Sequence, residues 1–127
     1  MRNKLKEFAN SFKHAFNGIF HSFHEQRNIK IMLIIGLAVI LLAYLLNIKK
    51  HELIIVVFIC FFVIILEMIN TSIERTIDAI SNGETKRKYG VAKDILAGAV
   101  LMATILSIIA GLLIFIPYII DFLQFSF

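Results

Sequence analysis

Glu67, Asn70, Glu74 and Asp78 interrupt a long apolar stretch at positions i, i+3, i+7 and i+11. On an α-helix, at about 100° per residue, they fall at about 0°, 300°, 340° and 20°. All four therefore share one narrow face, and Thr71 joins them at about 40°. Met68, Ile69 and Ile73 are left for lipid or packing on the other side. A carboxylate surrounded by apolar residues suits proton transfer. Carboxylates with access to water are hard oxygen ligands, which suit Mg²⁺ carrying a nucleotide. Asn70, between the two kinds, can hydrogen-bond either neighbour or a phosphate.

Depth divides the stripe further. If the helix enters lipid near Leu53, Glu67 lies roughly 14 residues in, about 21 Å across a hydrocarbon core of about 30 Å. Glu74 comes about 10 Å later, near the interface, and Asp78 reaches water. An acid inside a bilayer costs roughly 2.5 kcal/mol or more at mid-span and persists where it pairs, lines a cavity or does chemistry. On these grounds Glu67 is expected to be a general base, with Glu74 and Asp78 on the metal and nucleotide side. A competing reading has the acids pair with Arg75, Lys93 and partner helices to fix assembly. It accounts for the acids near the interface better than for the deep Glu67. A second polar group, Ala92-Lys93-Asp94, opens the next helix. Lys93 can neutralise phosphate, and Asp94 can orient it or a metal. A simple anchor pair at a helix start is the alternative there.

The elements that must position these groups are legible from composition. The chain has 127 residues, enough for one domain, and is 59% hydrophobic with a mean hydropathy of +0.85. Soluble domains run nearer 45–50% apolar. The excess sits in runs at Ile31–Leu46, Leu53–Leu66 and Ile95–Ile120, more than one small soluble core can bury. The spacing predicts an all-α membrane protein with spans at residues 29–47, 52–80 and 90–116. A turn at Asn47–Glu52 separates the first two, and Ser81-Asn82-Gly83 stops the second. Pro117 is expected to end the third, leaving Tyr118–Phe127 at the interface.

Residues 2–24 carry Leu5, Phe8, Phe12, Ala15, Phe16, Ile19, Phe20 and Phe23 at helical spacing, with lysines and polar residues opposite. A basic, Phe-rich amphipathic helix suits the membrane surface; packing on other protein is the alternative. The first 30 residues lack the short apolar core and small-residue cleavage site of a secretory signal. Six Lys or Arg lie up to Lys30 and five more lie from Arg75 to Lys93, against two, Lys49 and Lys50, between the first spans. The positive-inside rule then puts the N-terminus and the 81–90 loop in the cytoplasm and the C-terminus outside. The net charge of +4 thus reads as topology and headgroup contact, with no nucleic-acid partner. The lone Cys60 excludes a disulfide framework and a thiolate metal site.

Glu67-Met-Ile-Asn70-Thr-Ser-Ile-Glu74-Arg-Thr-Ile-Asp78, followed by Ala92-Lys93-Asp94-Ile-Leu-Ala97-Gly98-Ala99, resembles the prokaryotic diacylglycerol kinase family, which includes the undecaprenol kinases of Gram-positive bacteria. The resemblance covers nearly the whole chain. It implies a homotrimeric helical bundle, with sites shared between subunits, that phosphorylates a membrane lipid alcohol with Mg²⁺ and ATP. Undecaprenol is the first expectation and diacylglycerol the second. It also implies that Glu67 is the catalytic base, with Ala97 beside it on the lipid substrate. Glu74 is implied as metal and nucleotide ligand, with Asn70 supporting. His14, Gln26, Asp78, Glu84, Thr85, Lys86, Lys93 and Asp94 are implied as nucleotide contacts. The family spacing of Gly18 to Asn28 is kept, but the second metal ligand, a Glu in the family, is Gln26 here, with Glu25 next to it. Gln26 offers one neutral oxygen to Mg²⁺; Glu25 points about 100° away and substitutes only if the backbone shifts.

The chain has no phosphate loop of the G-x-x-x-x-G-K-[ST] type. A rival of another class is a small proton-coupled exporter using one membrane Glu. Such exporters usually have four spans, and three are counted here.

Overall fold

The protein is described by a computed structural model that covers residues 1–84 and 86–127. Among these residues it is all-helical, with four helices in chain order: α1 (Arg2–Glu25), α2 (Arg27–Leu45), α3 (Lys50–Ser81) and α4 (Arg87–Ser126). The last three are long and apolar enough to cross a membrane. Their exposed surfaces are dominated by Ile, Leu and Phe, such as Ile34, Ile54, Phe58, Leu101 and Leu113. In such a chain lipid takes the place of water, and the backbone satisfies its own hydrogen bonds within each helix.

The breaks between helices follow from local chemistry. Gln26 adopts an extended conformation (φ −93°, ψ 110°) between α1 and α2, a one-residue hinge without a proline or glycine. After α2, Asn47 turns left-handed at φ 51°. The Asn47 amide then donates to the Tyr44 carbonyl at 3.1 Å and the Ile48 amide to the Ala43 carbonyl at 3.3 Å. This pair of bonds is the Schellman arrangement, and its usual apolar clasp is present as Ile48 buried with Ala43. At the end of α3 the left-handed conformation begins at Asn82 (φ 50°) and continues at Gly83 (φ 81°). The expected stop is therefore in place, with Asn82 rather than Gly83 taking the first left-handed position.

The last helix departs from expectation. Pro117 was expected to end it; instead α4 runs through Pro117 to Ser126. Proline removes one helical hydrogen bond and crowds the preceding turn, but Tyr118 holds the segment just beyond it. The Tyr118 hydroxyl donates to the Glu52 carboxylate and accepts the Lys49 amide at 3.1 Å. Both partners sit at the start of α3, so α4 is fastened by a side chain immediately after the proline.

α3 is the central helix and packs on α2 and on α4. Its buried residues are Val56, Val63, Ile64, Glu67, Asn70 and Ser81. Val56, Val63 and Asn70 are seven residues apart, the step of a packing seam. The seam is apolar at the α2–α3 turn, where Val56 meets Ala43, Ile48 and Phe115, and becomes polar at Glu67 and Asn70. The stripe continues the line along which α3 packs.

Candidate active site

Glu67 and Asn70 are each only 8% exposed, although α3 stands largely open to its surroundings. The first turn of α2 reaches α3 at this level. The Asn28 side-chain amide donates to Glu67 Oε1 at 3.5 Å, the outer limit for a hydrogen bond. Ile29, next along α2, is fully buried. One turn along α3, Asn70 Oδ1 has no hydrogen-bond partner. A buried acceptor left unpaired is costly, so this oxygen is ready for a donor or a cation.

The wet end of the stripe is arranged differently. Glu74 is half-buried and Asp78 exposed. Asp78 forms an ion pair with Lys93 of α4, so the residue expected to neutralise phosphate and one expected on the nucleotide side already compensate each other. Asp78 also holds the end of its helix, because its carbonyl accepts the Ser81 hydroxyl at 3.1 Å. Beyond the helix, Glu84 and Lys86 pair at 2.9 Å; Thr85 lies outside the described residues.

Other expected residues stay apart within one chain. Gln26 lines a polar cavity of about 500 Å³ between α1 and α3, and Glu74 is not on its wall. Glu25 contacts His21 at 3.3 Å. His14 is exposed on α1, and Asp94 and Ala97 are exposed on α4. Among the described residues no three His, Cys, Asp or Glu side chains converge as a metal site.

The donor chemistry nevertheless fits Mg²⁺. Glu74 and the unpaired Asn70 oxygen lie one turn apart on one face, both are hard oxygen donors, and Mg²⁺ is often held by one or two carboxylates while keeping several waters. Sequence reasoning assigned no role to Asn28, which among the described residues is the side chain hydrogen-bonded to Glu67. Its signal was present in the kept spacing from Gly18 to Asn28. Arg75, read there as a possible partner of the acids, instead lies 2.9 Å from His21; a contact across 54 positions leaves no periodic trace.

Residues 13–115 match the family described as prokaryotic diacylglycerol kinase. The chain belongs to this family. It is 35% identical to an undecaprenol kinase of Bacillus subtilis over 91% of this chain and 94% of that protein. It is also 35% identical to a diacylglycerol kinase of Synechocystis, over 84% of this chain and 61% of the relative. A diacylglycerol kinase of Pseudomonas aeruginosa is 23% identical over 84% of this chain and 91% of its own length. Family membership and the three membrane-capable helices make this a bacterial membrane protein.

Proposed function

We propose that this chain is a lipid kinase that transfers the γ-phosphoryl group of ATP to the hydroxyl of undecaprenol at the cytoplasmic face of the membrane. The observation that carries this reading is Glu67, a carboxylate almost without solvent on a membrane-capable helix, one turn from an unpaired amide oxygen. The undecaprenol kinase relative, similar over nearly its full length, supplies the acceptor. Diacylglycerol is the second reading, favoured by the two relatives of that name.

In this reading Glu67 takes the proton of the lipid hydroxyl, and Asn28 holds the carboxylate toward it. Ala97 contributes to the lipid side. Glu74, with Asn70, holds Mg²⁺, which when bound offsets charge on the phosphate oxygens. Gln26 is the second oxygen ligand, or Glu25 after a shift at the α1–α2 hinge. Lys93, Asp94, Asp78, His14 and the Glu84–Lys86 loop contact the nucleotide. Phosphoryl transfer depends chiefly on positioning and charge neutralisation, and a water-poor pocket strengthens both.

The same reading makes the whole chain one domain, assembled as a homotrimer. Glu74 touches neither Gln26 nor His14 within its own chain, so a neighbouring copy would complete the nucleotide side. α1 then lies on the membrane surface, where Phe8, Phe12, Phe16 and Phe20, all exposed here, enter the headgroup layer. The lysine and arginine bias sets the N-terminus inside and the C-terminus outside.

The test is incubation of the purified protein with Mg-ATP and either lipid in mixed micelles. Phosphate transfer is expected to both, faster to undecaprenol. Transfer to neither would end the kinase reading, and faster transfer to diacylglycerol would exchange the two substrates.

A further inference from the structure

The cavity between α1 and α3 holds a cation that the stripe does not use. Its wall includes Gly18, Ser22, Gln26, Thr71, Ser72 and Thr76, together with the Arg75–His21 pair. At about 500 Å³ it falls within the range of small-molecule sites. Arg75 follows Glu74 directly and is turned about 100° from it, so it faces α1 while Glu74 stays on the stripe.

The partners of Arg75 define its state. Arg75 Nη1 lies 2.9 Å from His21 Nε2. A guanidinium only donates, so His21 is the acceptor in this contact. The same nitrogen lies 3.3 Å from Glu25 Oε2. It cannot accept from Arg75 and donate to Glu25 at once, so the two contacts compete for one atom. Among the described residues Arg75 forms no salt bridge, whereas Lys86 and Lys93 both do. Arg75 thus donates to the His21 ring, with no other hydrogen bond from it among the described residues, and hydroxyl side chains from Ser22, Thr71, Ser72 and Thr76 line the same space, that of Thr76 already donating to the Ser72 carbonyl at 2.9 Å. Glu25, 3.3 Å from His21, is not on the wall; its charge opposes a loose anion, so an anion seated here must be bound directly by Arg75.

We propose that Arg75 is a phosphate-binding residue, resting on His21 in the free protein and taking a phosphate oxygen of a ligand seated in the α1–α3 cavity. This rests on the kinase reading for its ligands, which are phosphate-bearing on both sides of the reaction: the nucleotide and the phosphorylated lipid. Arginine's planar fork suits that group better than a lysine does.

The test is equilibrium binding to the full chain in lipid nanodiscs, so that no turnover is required. ATP, undecaprenyl phosphate and undecaprenol are the three probes, each measured with the wild type, Arg75→Gln, Arg75→Lys and His21→Ala. Arg75→Gln is expected to weaken ATP or undecaprenyl phosphate about tenfold, and whichever is lost names the source of the phosphate. Undecaprenol should bind unchanged, and Arg75→Lys should recover part of the affinity. Wild-type affinity of Arg75→Gln for both phosphate ligands would overturn the proposal, even with the kinase activity intact. So would an equal loss for undecaprenol that His21→Ala reproduces, since the pair would then be a strut between two helices. Absence of phosphate transfer by a wild type that still loses phosphate affinity in Arg75→Gln would instead count against the kinase reading alone.

Discussion

The two ends of α3 use similar residues to different effect. At its start, Glu52 receives the Tyr118 hydroxyl and Tyr118 in turn accepts the Lys49 amide. Every polar group named there has a partner within the chain, and the apolar cluster of Ala43, Ile48, Val56 and Phe115 lies against it. Toward the other end, Glu67 is better buried than Glu52, but among the described residues its side chain has one long hydrogen bond, from Asn28, and Asn70 Oδ1 has none. A carboxylate that ties two helices together is satisfied by them. A carboxylate and an amide buried without adequate partners store an unmet demand, which a substrate can meet. The contrast agrees with the proposal that the Glu67 end of α3 is the working end and the Glu52 end the fastening.

That contrast breaks most readily at Glu67. Glu67→Gln keeps the shape and the contact with Asn28 but removes the base, and turnover on undecaprenol is expected to fall about 10²- to 10⁴-fold. Thermal unfolding in detergent should be unchanged or slightly higher, because a carboxylate in a membrane helix is costly. Retained turnover would remove Glu67 from the chemistry. Glu74→Gln should lower turnover about 10- to 100-fold and raise the Mg²⁺ concentration needed for half-maximal rate. A magnesium titration of the variant reads this directly, and an unshifted midpoint would assign the metal elsewhere.

The outer end should answer in stability instead. Tyr118→Phe deletes the hydroxyl that joins α4 to Glu52 and Lys49, and is expected to lower the thermal unfolding temperature in detergent with turnover of the folded enzyme unaltered. Loss of turnover at full stability would mean that the two ends are coupled. The smallest expected effect is that of Asp78→Asn. Its ion pair with Lys93 is solvent-exposed and contributes less than about 1 kcal/mol to folding, so its consequence should show in the KM for ATP rather than in the unfolding temperature.

The three membrane-capable helices and the shared face of Glu67, Asn70, Glu74 and Asp78 on α3 were legible in the sequence because each depends only on helical periodicity and apolar run length. The end of α4 was not. Pro117 is a local stop signal, and the contacts that override it come from Lys49 and Glu52, far away in the chain. The pairing of Asp78 with Lys93 was foreshadowed in the alternative that the acids pair with Arg75, Lys93 and partner helices, while the nucleotide role of the two residues is a proposal. Asn28 had a spacing but no role until α2 was seen to cross α3 at Glu67.

The sequence by itself determined which solvent this protein lives in and which side of α3 is polar. Both are properties of one chain segment read against its own period. Only the tertiary structure decided which polar groups are already satisfied. Whether Glu52, Glu67 or Arg75 meets a partner depends on which helices cross at that level. Burial and hydrogen bonding between distant segments, unlike periodicity, exist only once the helices have packed.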